Sequence, residues 1–394
     1  MPFIDEDHLD DQEHLAACDR RGTLRALATA GAQVREALTL SDEAGIDRLA
    51  RLDRPRSVLV ASLGGSAVVA DVLDMLAEPG SPVPVSVRRN VPLPGWVGPL
   101  DLVVAVSLSG RARGPLAVAA EAARRGASLV TVGACDSPLA AVCARARGIH
   151  VDVGRDRISS RTALWSLLTP VLVAANELGL VQVSHDDLLA TARRLDEQAE
   201  ACRPSSESFV NPAKVLALQL AETVPVVLGD SPLAGVAATR AASMLTRTAR
   251  IPATHGELPD AASQVVATFD GPFTAGGGEG VGSIGSRGDD IFADPFLDGP
   301  AQPRLGLIML RDALATPTSP EEADLDALAQ AVLTTAEEAG VRVATVTAEA
   351  GHPLTRLAGL IAQTDFVATY LAIGLGIDPA VSRHITALRD HTAG

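Results

Sequence analysis

The amino-acid sequence predicts an α/β protein with two tandem domains, each a parallel sheet flanked by helices in a doubly wound, flavodoxin-like arrangement. Short apolar runs alternate with amphipathic stretches along most of the chain, which is the rhythm of βαβ units. Aromatic residues make up only 3% of the 394 residues, whereas 47% are hydrophobic. Ala, Val and Leu must therefore fill the cores, which suits helices packed on buried parallel strands. A chain of this length exceeds one ordinary hydrophobic core, so we expect two domains.

The first half begins with helices and continues as a βαβ series. Residues 7–51 are predicted to be helical, because apolar residues such as Leu24, Leu27 and Val34 fall on one helical face. Apolar runs bounded by turn residues predict strands at 58–61, 83–87, 102–106 and 128–132, with helices at 66–76 and 116–125. The predicted parts are an N-terminal helical segment at 1–51, a first sheet domain at 52–180 and a helical linker at 181–204.

The second half, residues 205–394, repeats this rhythm. Asn211 and Pro212 mark a helix start, because proline is favoured in the first turn. Strands are predicted at 224–228, 264–268, 304–310 and 342–346, and helices at 213–222, 233–247, 320–339, 353–374 and 380–388. A glycine-rich stretch at 273–300 interrupts the series. It is either a surface insertion or a phosphate-binding loop, and the second interpretation lacks the helix that should follow directly.

Charge and hydropathy exclude several classes of partner. The net charge is −15 and the sequence contains no basic run, which disfavours nucleic acid and anionic membrane surfaces. The longest apolar run, 163–175, is shorter than the roughly 20 residues that cross a bilayer. The acidic N-terminus is the opposite of a signal peptide. We expect a cytoplasmic protein without membrane contact.

The sequence also lacks the motifs of common cofactor and metal sites. The four cysteines form no C-x-x-C pair, and no G-x-G-x-x-G or P-loop motif opens a helix after a predicted strand. His8 and His14, in the acidic N-terminal run, are either metal ligands or part of a solvated helix start. We expect no cofactor and no bound metal.

Two predicted strand ends carry residues that would bind an anion. The first strand runs into Gly64, Gly65 and Ser66 just before a helix, where glycines let the backbone approach a ligand and free N–H groups favour negative charge. The third strand runs into Ser107 and Ser109, which point the same way if the strand continues through them. Open α/β folds bind ligands at this carboxyl edge, so the pair predicts a hydroxyl-lined anion site. For the first turn alone, the alternative is an ordinary βα turn with Ser66 as helix N-cap.

These two segments resemble the sugar isomerase (SIS) domain, whose strand ends bind phosphosugars through serines in G-G-S and S-x-S-G turns. The chain as a whole is similar to the bifunctional phosphoglucose/phosphomannose isomerase family, a tandem of two SIS domains. Three further segments carry the resemblance: 159–163 to the family's P-x-R-T-A stretch, 211–214 to the start of its second domain and 357–385 to its C-terminal signature. The resemblance implies two SIS domains and a homodimer.

The resemblance also implies roles for the matching residues. Besides Gly64 and Gly65, the substrate-binding residues would be Ser66, Ser107 and Ser109, which would contact phosphate, and Arg161, which would orient the sugar. The implied ligand is fructose 6-phosphate, glucose 6-phosphate or mannose 6-phosphate. The family has a further hydroxyl residue after S-x-S-G, where this chain has Arg111, Ala112 and Arg113. These arginines either bind phosphate or are solvated.

The family's catalytic positions differ in this chain. Isomerisation through an enediol needs a base and a ring-opening acid, and the matching positions are Arg247 and Ser263, neither of which can do either task. His255 and Glu257 follow on what is predicted to be a loop. They are either a displaced catalytic pair or a surface pair that braces the turn.

Three hypotheses follow for function. The first is a phosphosugar-binding protein with a binding or regulatory role; the second is an active isomerase that uses Glu257 and His255; the third is a structural partner without a ligand. Lys214, the only lysine of the chain, could form a Schiff base only if it were desolvated, and its place in a first helical turn favours a structural role.

Overall fold

The computed structural model describes residues 4, 6–51, 53–274, 304–312 and 319–393, and the chain divides into two compact units. The unit with the first sheet comprises Arg25–Glu200 and Gly351–Ala358, and is called the first-sheet unit below. The second-sheet unit comprises Met1–Leu24, Ala201–Ala350 and Gly359–Gly394. Most of the predicted glycine-rich insertion, residues 275–300, lies outside the described residues.

The N-terminal segment is helical, as its periodicity predicts. Its helices are α1 (Asp7–Asp10), α2 (Gln12–Cys18), α3 (Thr23–Ala28) and α4 (Ala30–Glu43), followed by a 3-10 turn at Ile46–Arg51. Helix α4 buries Val34, Ala37 and Leu38 on one face, which is the stripe that the sequence pattern indicates.

The first-sheet unit follows the predicted βαβ order. Its elements are β1 (Val58–Ala61), a 3-10 turn (Gly64–Ser66), α5 (Val68–Ala77), β2 (Val85–Arg88), β3 (Leu102–Ser107), α6 (Arg113–Arg124), β4 (Ser128–Gly133), α7 (Pro138–Arg145), β5 (Ile149–Asp152), α8 (Leu164–Glu177) and α9 (His185–Ala201). The five strands are parallel and lie in the order β2-β1-β3-β4-β5. This is the flavodoxin-like order that the fold class predicts, with its topological switch point between β1 and β3. Strands β1 and β3 are buried along their whole length, as expected for a sheet covered on both faces.

The second-sheet unit has the same construction, with four strands among its described residues. Its elements are α10 (Pro212–Leu220), β6 (Thr223–Gly229), α11 (Pro232–Met244), which continues as a π-helical turn (Leu245–Ala249), β7 (Thr254–Glu257), α12 (Ala262–Ala267), β8 (Arg304–Arg311), α13 (Pro320–Glu338) and β9 (Arg342–Thr347). Helix α14 (Pro353–Gly374) begins in the first-sheet unit and ends in the second, and α15 (Arg383–Ala393) follows. The strands are parallel in the order β7-β6-β8-β9.

The prediction of a strand at 264–268 is wrong. These residues belong to α12 and the 3-10 turn after it, and the second strand of this sheet is β7 at Thr254–Glu257. Only Ala262, Val265 and Phe269 are buried along this stretch, which is a helical spacing. Strand β7 lies at the sheet edge and is mostly exposed, so it lacks the apolar run by which buried strands are identified. Strand β5 and helices α7 and α8 have no counterpart among the elements predicted from the sequence.

Lys214 is structural, as its position indicates. The side chain is fully buried, and Nζ donates to Asp10 Oδ1 at 3.0 Å, to Pro204 O at 2.9 Å and to Ser206 O at 2.7 Å. It also lies 5.5 Å from the centroid of the Tyr370 ring. These contacts join the N-terminal segment, the 204–206 loop and α14, and all three ammonium protons are engaged.

Helix α14 is long and apolar enough to cross a membrane by length and composition. However, 94% of its most apolar window is buried inside the structure, which is typical of the core helix of a water-soluble domain.

Candidate ligand-binding site

The turn between β1 and α5 is tightly constrained. Gly64 has a φ of +70°, a left-handed conformation that glycine adopts without strain. Ser66 is 3% exposed, and its hydroxyl donates to Leu63 O at 3.0 Å. Helix α5 has no side-chain cap, so Ser66 is not its N-cap but closes the preceding turn. To donate to a ligand, this hydroxyl would have to rotate away from Leu63.

Gly65 brings this turn against the segment that contains Arg161. A Cβ at Gly65 would lie 2.5 Å from Ser160 Oγ and 3.3 Å from Arg161 N, closer than a side chain tolerates. The Arg161 segment is itself held from beneath, because Nε2 of the buried Gln33 donates to Thr162 O at 2.8 Å. The structure therefore places Arg161 directly beside the first glycine-rich turn.

The turn between β3 and α6 carries the two serines. Strand β3 ends at Ser107, and a turn closed by Gly110 N donating to Ser107 O at 2.8 Å follows. Ser109 therefore lies in the turn, and the expectation that the two serines share a direction through strand pleating does not hold. Ser107 Oγ accepts from Ala112 N, and Ser109 Oγ accepts from Arg111 N, both at 3.3 Å.

The Ser107 hydroxyl accepts a hydrogen bond but donates none to the described residues. Ser107 is 4% exposed, its oxygen accepts from Ala112 N, and no described residue accepts its proton. A buried hydroxyl donor normally finds an acceptor. The Ser109 hydroxyl is in the same state but exposed to solvent. The carboxyl edge of the first sheet thus presents two hydroxyl donors beside the start of α6.

The carboxyl edge of the second sheet has the opposite electrostatic character. Asp230, which follows β6, accepts from Asp312 N at 2.8 Å and from Arg311 Nε at 3.2 Å. Burial raises the pKa of Asp230, and these two hydrogen bonds offset that effect only in part. Arg311 also pairs with Asp326. Carboxylates and a neutralised arginine at this edge disfavour a phosphate.

His255 and Glu257 lie on the edge strand β7, so the prediction of a loop is wrong. Two residues apart on a strand, they share one face, and both meet α11 on that face. His255 Nδ1 is 3.2 Å from Thr239 Oγ1. A Cβ at Gly235 would lie 2.4 Å from Glu257 Oε2. The Glu257 carboxylate thus lies beside the first turn of α11, where the helix dipole stabilises a negative charge, and the geometry fits a brace between strand and helix.

The two positions that match the family's catalytic residues are both exposed. Arg247 lies in the π-helical turn after α11, and Ser263 lies in α12. The π-helical turn ends at Arg250, whose guanidinium donates to Asp378 O at 2.7 Å and so holds the segment between α14 and α15.

Among the residues that the structure describes, no group of three or more His, Cys, Asp or Glu side chains could hold a metal ion. The rings of His8 and His14 stack with their centroids 4.1 Å apart. All four cysteines are free thiols.

Two residues that shape the site have no counterpart in the sequence analysis. Gln33 supports the Arg161 segment from α4. Ser137, the N-cap of α7, packs against Gly110, where a Cβ would lie 2.1 Å from Ser137 Oγ. A serine before Pro138 is a recognisable cap, whereas a lone glutamine in an amphipathic helix has no distinguishing pattern.

Comparison of the sequence with known proteins relates the chain to phosphoglucose isomerases. A sequence model of the bacterial phosphoglucose isomerase C-terminal SIS domain matches residues 209–391. A bifunctional phosphoglucose/phosphomannose isomerase from Caldicellulosiruptor bescii is 28% identical over 196 residues, which are 50% of this chain and 57% of that protein. The match therefore spans little more than half the length of this relative.

Solved structures share the fold at low sequence identity. A hypothetical protein from Thermus thermophilus aligns with a TM-score of 0.67 and 15% identity, over 99% of this chain and 94% of that one. A protein from Silicibacter pomeroyi described as a phosphosugar isomerase aligns with a TM-score of 0.60 and 20% identity, over 91% and 99% of the two chains. The C-terminal domain of glucosamine-fructose-6-phosphate aminotransferase from Francisella tularensis aligns with a TM-score of 0.59 and 14% identity, over 91% of this chain and 97% of that one. The chain is an SIS-domain protein that resembles the bifunctional phosphoglucose/phosphomannose isomerases.

Proposed function

We propose that the carboxyl edge of the first sheet binds the phosphate of a phosphosugar, and that the protein has a binding or regulatory role. The observation that carries the proposal is the buried Ser107 hydroxyl, whose proton has no acceptor among the described residues. A phosphate oxygen would accept this proton, together with that of Ser109. Arg161, beside Gly65, would orient the sugar.

The chemistry suits a ligand that must bind and leave. Neutral hydroxyl donors contribute only about 0.5–1.5 kcal/mol each, so a few of them hold a phosphate reversibly. The likeness to the Caldicellulosiruptor isomerase supports fructose 6-phosphate, glucose 6-phosphate or mannose 6-phosphate as the ligand.

Calorimetric titration with fructose 6-phosphate tests this proposal. We expect Ser107→Ala and Ser109→Ala each to weaken binding by about fivefold to tenfold, the equivalent of about 1.0–1.4 kcal/mol for one hydroxyl hydrogen bond. Ser128→Ala is the matched control, because Ser128 is exposed at the opposite, amino end of the same sheet. Equal affinity in all four proteins would refute a phosphate site at this edge. It would also favour the structural-partner hypothesis.

The non-catalytic part of the proposal rests on Arg247 and Ser263. An arginine stays protonated and cannot act as a base, and a serine hydroxyl has no useful pKa near neutral pH. Glu257 and His255, which contact α11, fit a structural brace.

The second candidate is an active phosphoglucose/phosphomannose isomerase with Glu257 as base and His255 as acid. It is favoured by the position of Glu257 at the carboxyl end of β7, the edge at which parallel sheets carry their chemistry. A coupled assay of fructose 6-phosphate conversion distinguishes the two candidates, with Asp260→Asn as control for an exposed carboxylate nearby. Turnover that Glu257→Gln abolishes and Asp260→Asn preserves would establish the isomerase. Our proposal expects no turnover in any of the three proteins.

The resemblance further supports a cytoplasmic homodimer. Four free thiols are typical of a reducing compartment. Sedimentation velocity should show a species of twice the 40.5 kDa chain mass, and a monomer at micromolar concentration would contradict the dimer.

A further inference from the structure

Three exposed arginines lie at the same sheet edge as the proposed phosphate site, although the sequence contains no basic run. We call Arg88, Arg111 and Arg113 the edge arginines. Arg88 is the last residue of β2 and pairs in register with Ala61 of β1. Arg111 and Arg113 stand on either side of Ala112, whose N–H donates to Ser107.

Backbone contacts bring these residues to the same edge. Ser62 N, just after β1, donates to Arg88 O at 3.2 Å. A Cβ at Gly114, in the first turn of α6, would lie 2.6 Å from Arg89 O. The end of β2 and the start of α6 therefore meet beside the two serine-bearing turns.

The edge arginines form no ion pair with any described residue, and all three are exposed. Several other arginines of this unit have carboxylate partners, among them Arg35 with Asp196, Arg89 with Asp71 and Arg124 with Glu121. In a chain of net charge −15, three unpaired guanidinium groups at one edge are a local concentration of positive charge that favours anions.

The start of α6 adds to this positive potential. Arg113 is the first residue of the helix, no acidic residue lies in the first turn, and no side chain caps the terminus. Positive charge at the positive end of a helix dipole is unfavourable, and a bound anion relieves it. Arg111, Ala112 and Arg113 follow the turn at which the resembling family has a further hydroxyl residue. The positive charge at this edge is therefore additional to the two serine hydroxyls that we propose for the first phosphate.

We propose that the ligand of this site is a phosphosugar with a second anionic group, a phosphate or a carboxylate, which Arg111 and Arg113 bind. This inference rests on the proposed function and specifies its substrate class. Arg88 contributes long-range attraction from the end of β2.

Titrations with three probes test the inference: fructose 6-phosphate, fructose 1,6-bisphosphate and 6-phosphogluconate. We expect the bisphosphate or the phosphogluconate to bind at least about tenfold more tightly than fructose 6-phosphate, the equivalent of one charge-assisted hydrogen bond. The double variant Arg111→Ala/Arg113→Ala should remove this advantage and change the affinity for fructose 6-phosphate by less than about threefold. Arg124→Ala is the control, because Arg124 is exposed at the far end of the same helix and should leave the advantage intact.

The outcomes separate this inference from the proposed function. If fructose 6-phosphate binds and neither doubly charged probe binds more tightly, the inference is wrong and the phosphosugar site stands. Equal weakening of all three probes in the double variant would place the arginines at the single phosphate, which also overturns the inference. If none of the probes binds the wild-type protein, both proposals fail. The tighter probe identifies the second group as phosphate or carboxylate.

Discussion

At the scale of single residues, the saturation of hydrogen bonds distinguishes the buried polar groups that hold the fold from the one that we propose for a ligand. Lys214 and Ser107 are both buried. Nζ of Lys214 donates to three protein oxygens, whereas the Ser107 hydroxyl accepts from a backbone N–H and keeps its proton. Saturated groups hold the structure together, and the proton that Ser107 keeps is the observation on which we propose it as a ligand contact.

Replacement of Lys214 should therefore destabilise the fold. Lys214→Met removes the three hydrogen bonds of the buried ammonium group, to Asp10 Oδ1, Pro204 O and Ser206 O, and we expect the free energy of unfolding to fall by about 3 kcal/mol. Asp10→Asn is the comparison, because its side chain is 36% exposed and its loss should cost about 1 kcal/mol. Urea unfolding measures both values. Equal effects would mean that the ammonium group contributes little beyond its ion pair.

Asp101 predicts a pH dependence of stability. Its side chain is fully buried, and burial alone would raise its pKa. Hydrogen bonds from Arg56, Gly98 N and Ser57 outweigh burial, so the folded pKa lies below the ordinary 3.8. The stabilisation is therefore present above about pH 4 and is lost as the pH falls through the folded pKa.

Asp101→Asn should accordingly lower the free energy of unfolding at pH 7 by about 2 kcal/mol. The difference from wild type should shrink steadily below about pH 4. Chemical unfolding from pH 7 to pH 3 measures this gap. A gap that stays constant, or widens in acid, would contradict the sign of the pKa change.

At the scale of elements, the site depends on how closely two turns approach. Gly65 is in contact with Ser160 and the Arg161 backbone, so a methyl group there must displace the Arg161 segment. We expect Gly65→Ala to weaken fructose 6-phosphate binding by about tenfold or more, because a small misplacement of a binding group is costly. Gly80→Ala is a matched control, since a Cβ at Gly80 meets no atom within 4 Å. Unchanged binding in Gly65→Ala would exclude Arg161 from the site.

The sequence predicts strands well where they are buried along their length and poorly where they are exposed. Strands β1, β3 and β8 are apolar and almost wholly buried, so short hydrophobic runs identify them. Strand β7 is exposed and contains Gly256, and only its pairing with β6 makes it a strand. The adjacent valines of α12 suggest a strand, although only one of them is buried.

The residues of the candidate site are likewise predictable where a local pattern marks them and not predictable where they depend on distant contacts. Gly64, Gly65 and Ser107 are recognisable because turn glycines and strand-end serines occupy fixed positions relative to their strands. Two features depend on contacts between residues distant in sequence. They are the support of the Arg161 segment by Gln33 and the approach of Arg89, just after β2, to Gly114 at the start of α6. A sequence pattern contains no information of that kind.

At the scale of the whole molecule, charge is distributed unevenly between the two sheets. The carboxyl edge of the first sheet has hydroxyls and arginines without an ion pair among the described residues, whereas at that of the second Arg311 pairs with Asp230 and Asp326. Although the net charge is −15, the carboxyl edge of the first sheet is therefore locally suited to anions. This difference is the reason why we propose the phosphosugar site in the first-sheet unit.

Both tryptophans of the chain, Trp96 and Trp165, lie in that unit, so their fluorescence reports on it. Fructose 6-phosphate at one hundred times its dissociation constant should stabilise this unit by about 2.7 kcal/mol. The midpoint of tryptophan-monitored thermal unfolding should rise accordingly, and the same concentration should raise it less in Ser107→Ala. A midpoint insensitive to the sugar in the wild-type protein would contradict binding in this unit.

The most direct test of the account is proton NMR of fructose 6-phosphate with the purified protein in D₂O. We predict saturation transfer from the protein to the sugar, which Ser107→Ala reduces, without exchange of a C1 proton. Exchange of that proton with formation of an aldose phosphate would demonstrate enediol chemistry and contradict the non-catalytic role. The absence of saturation transfer at millimolar sugar would contradict the phosphosugar site itself.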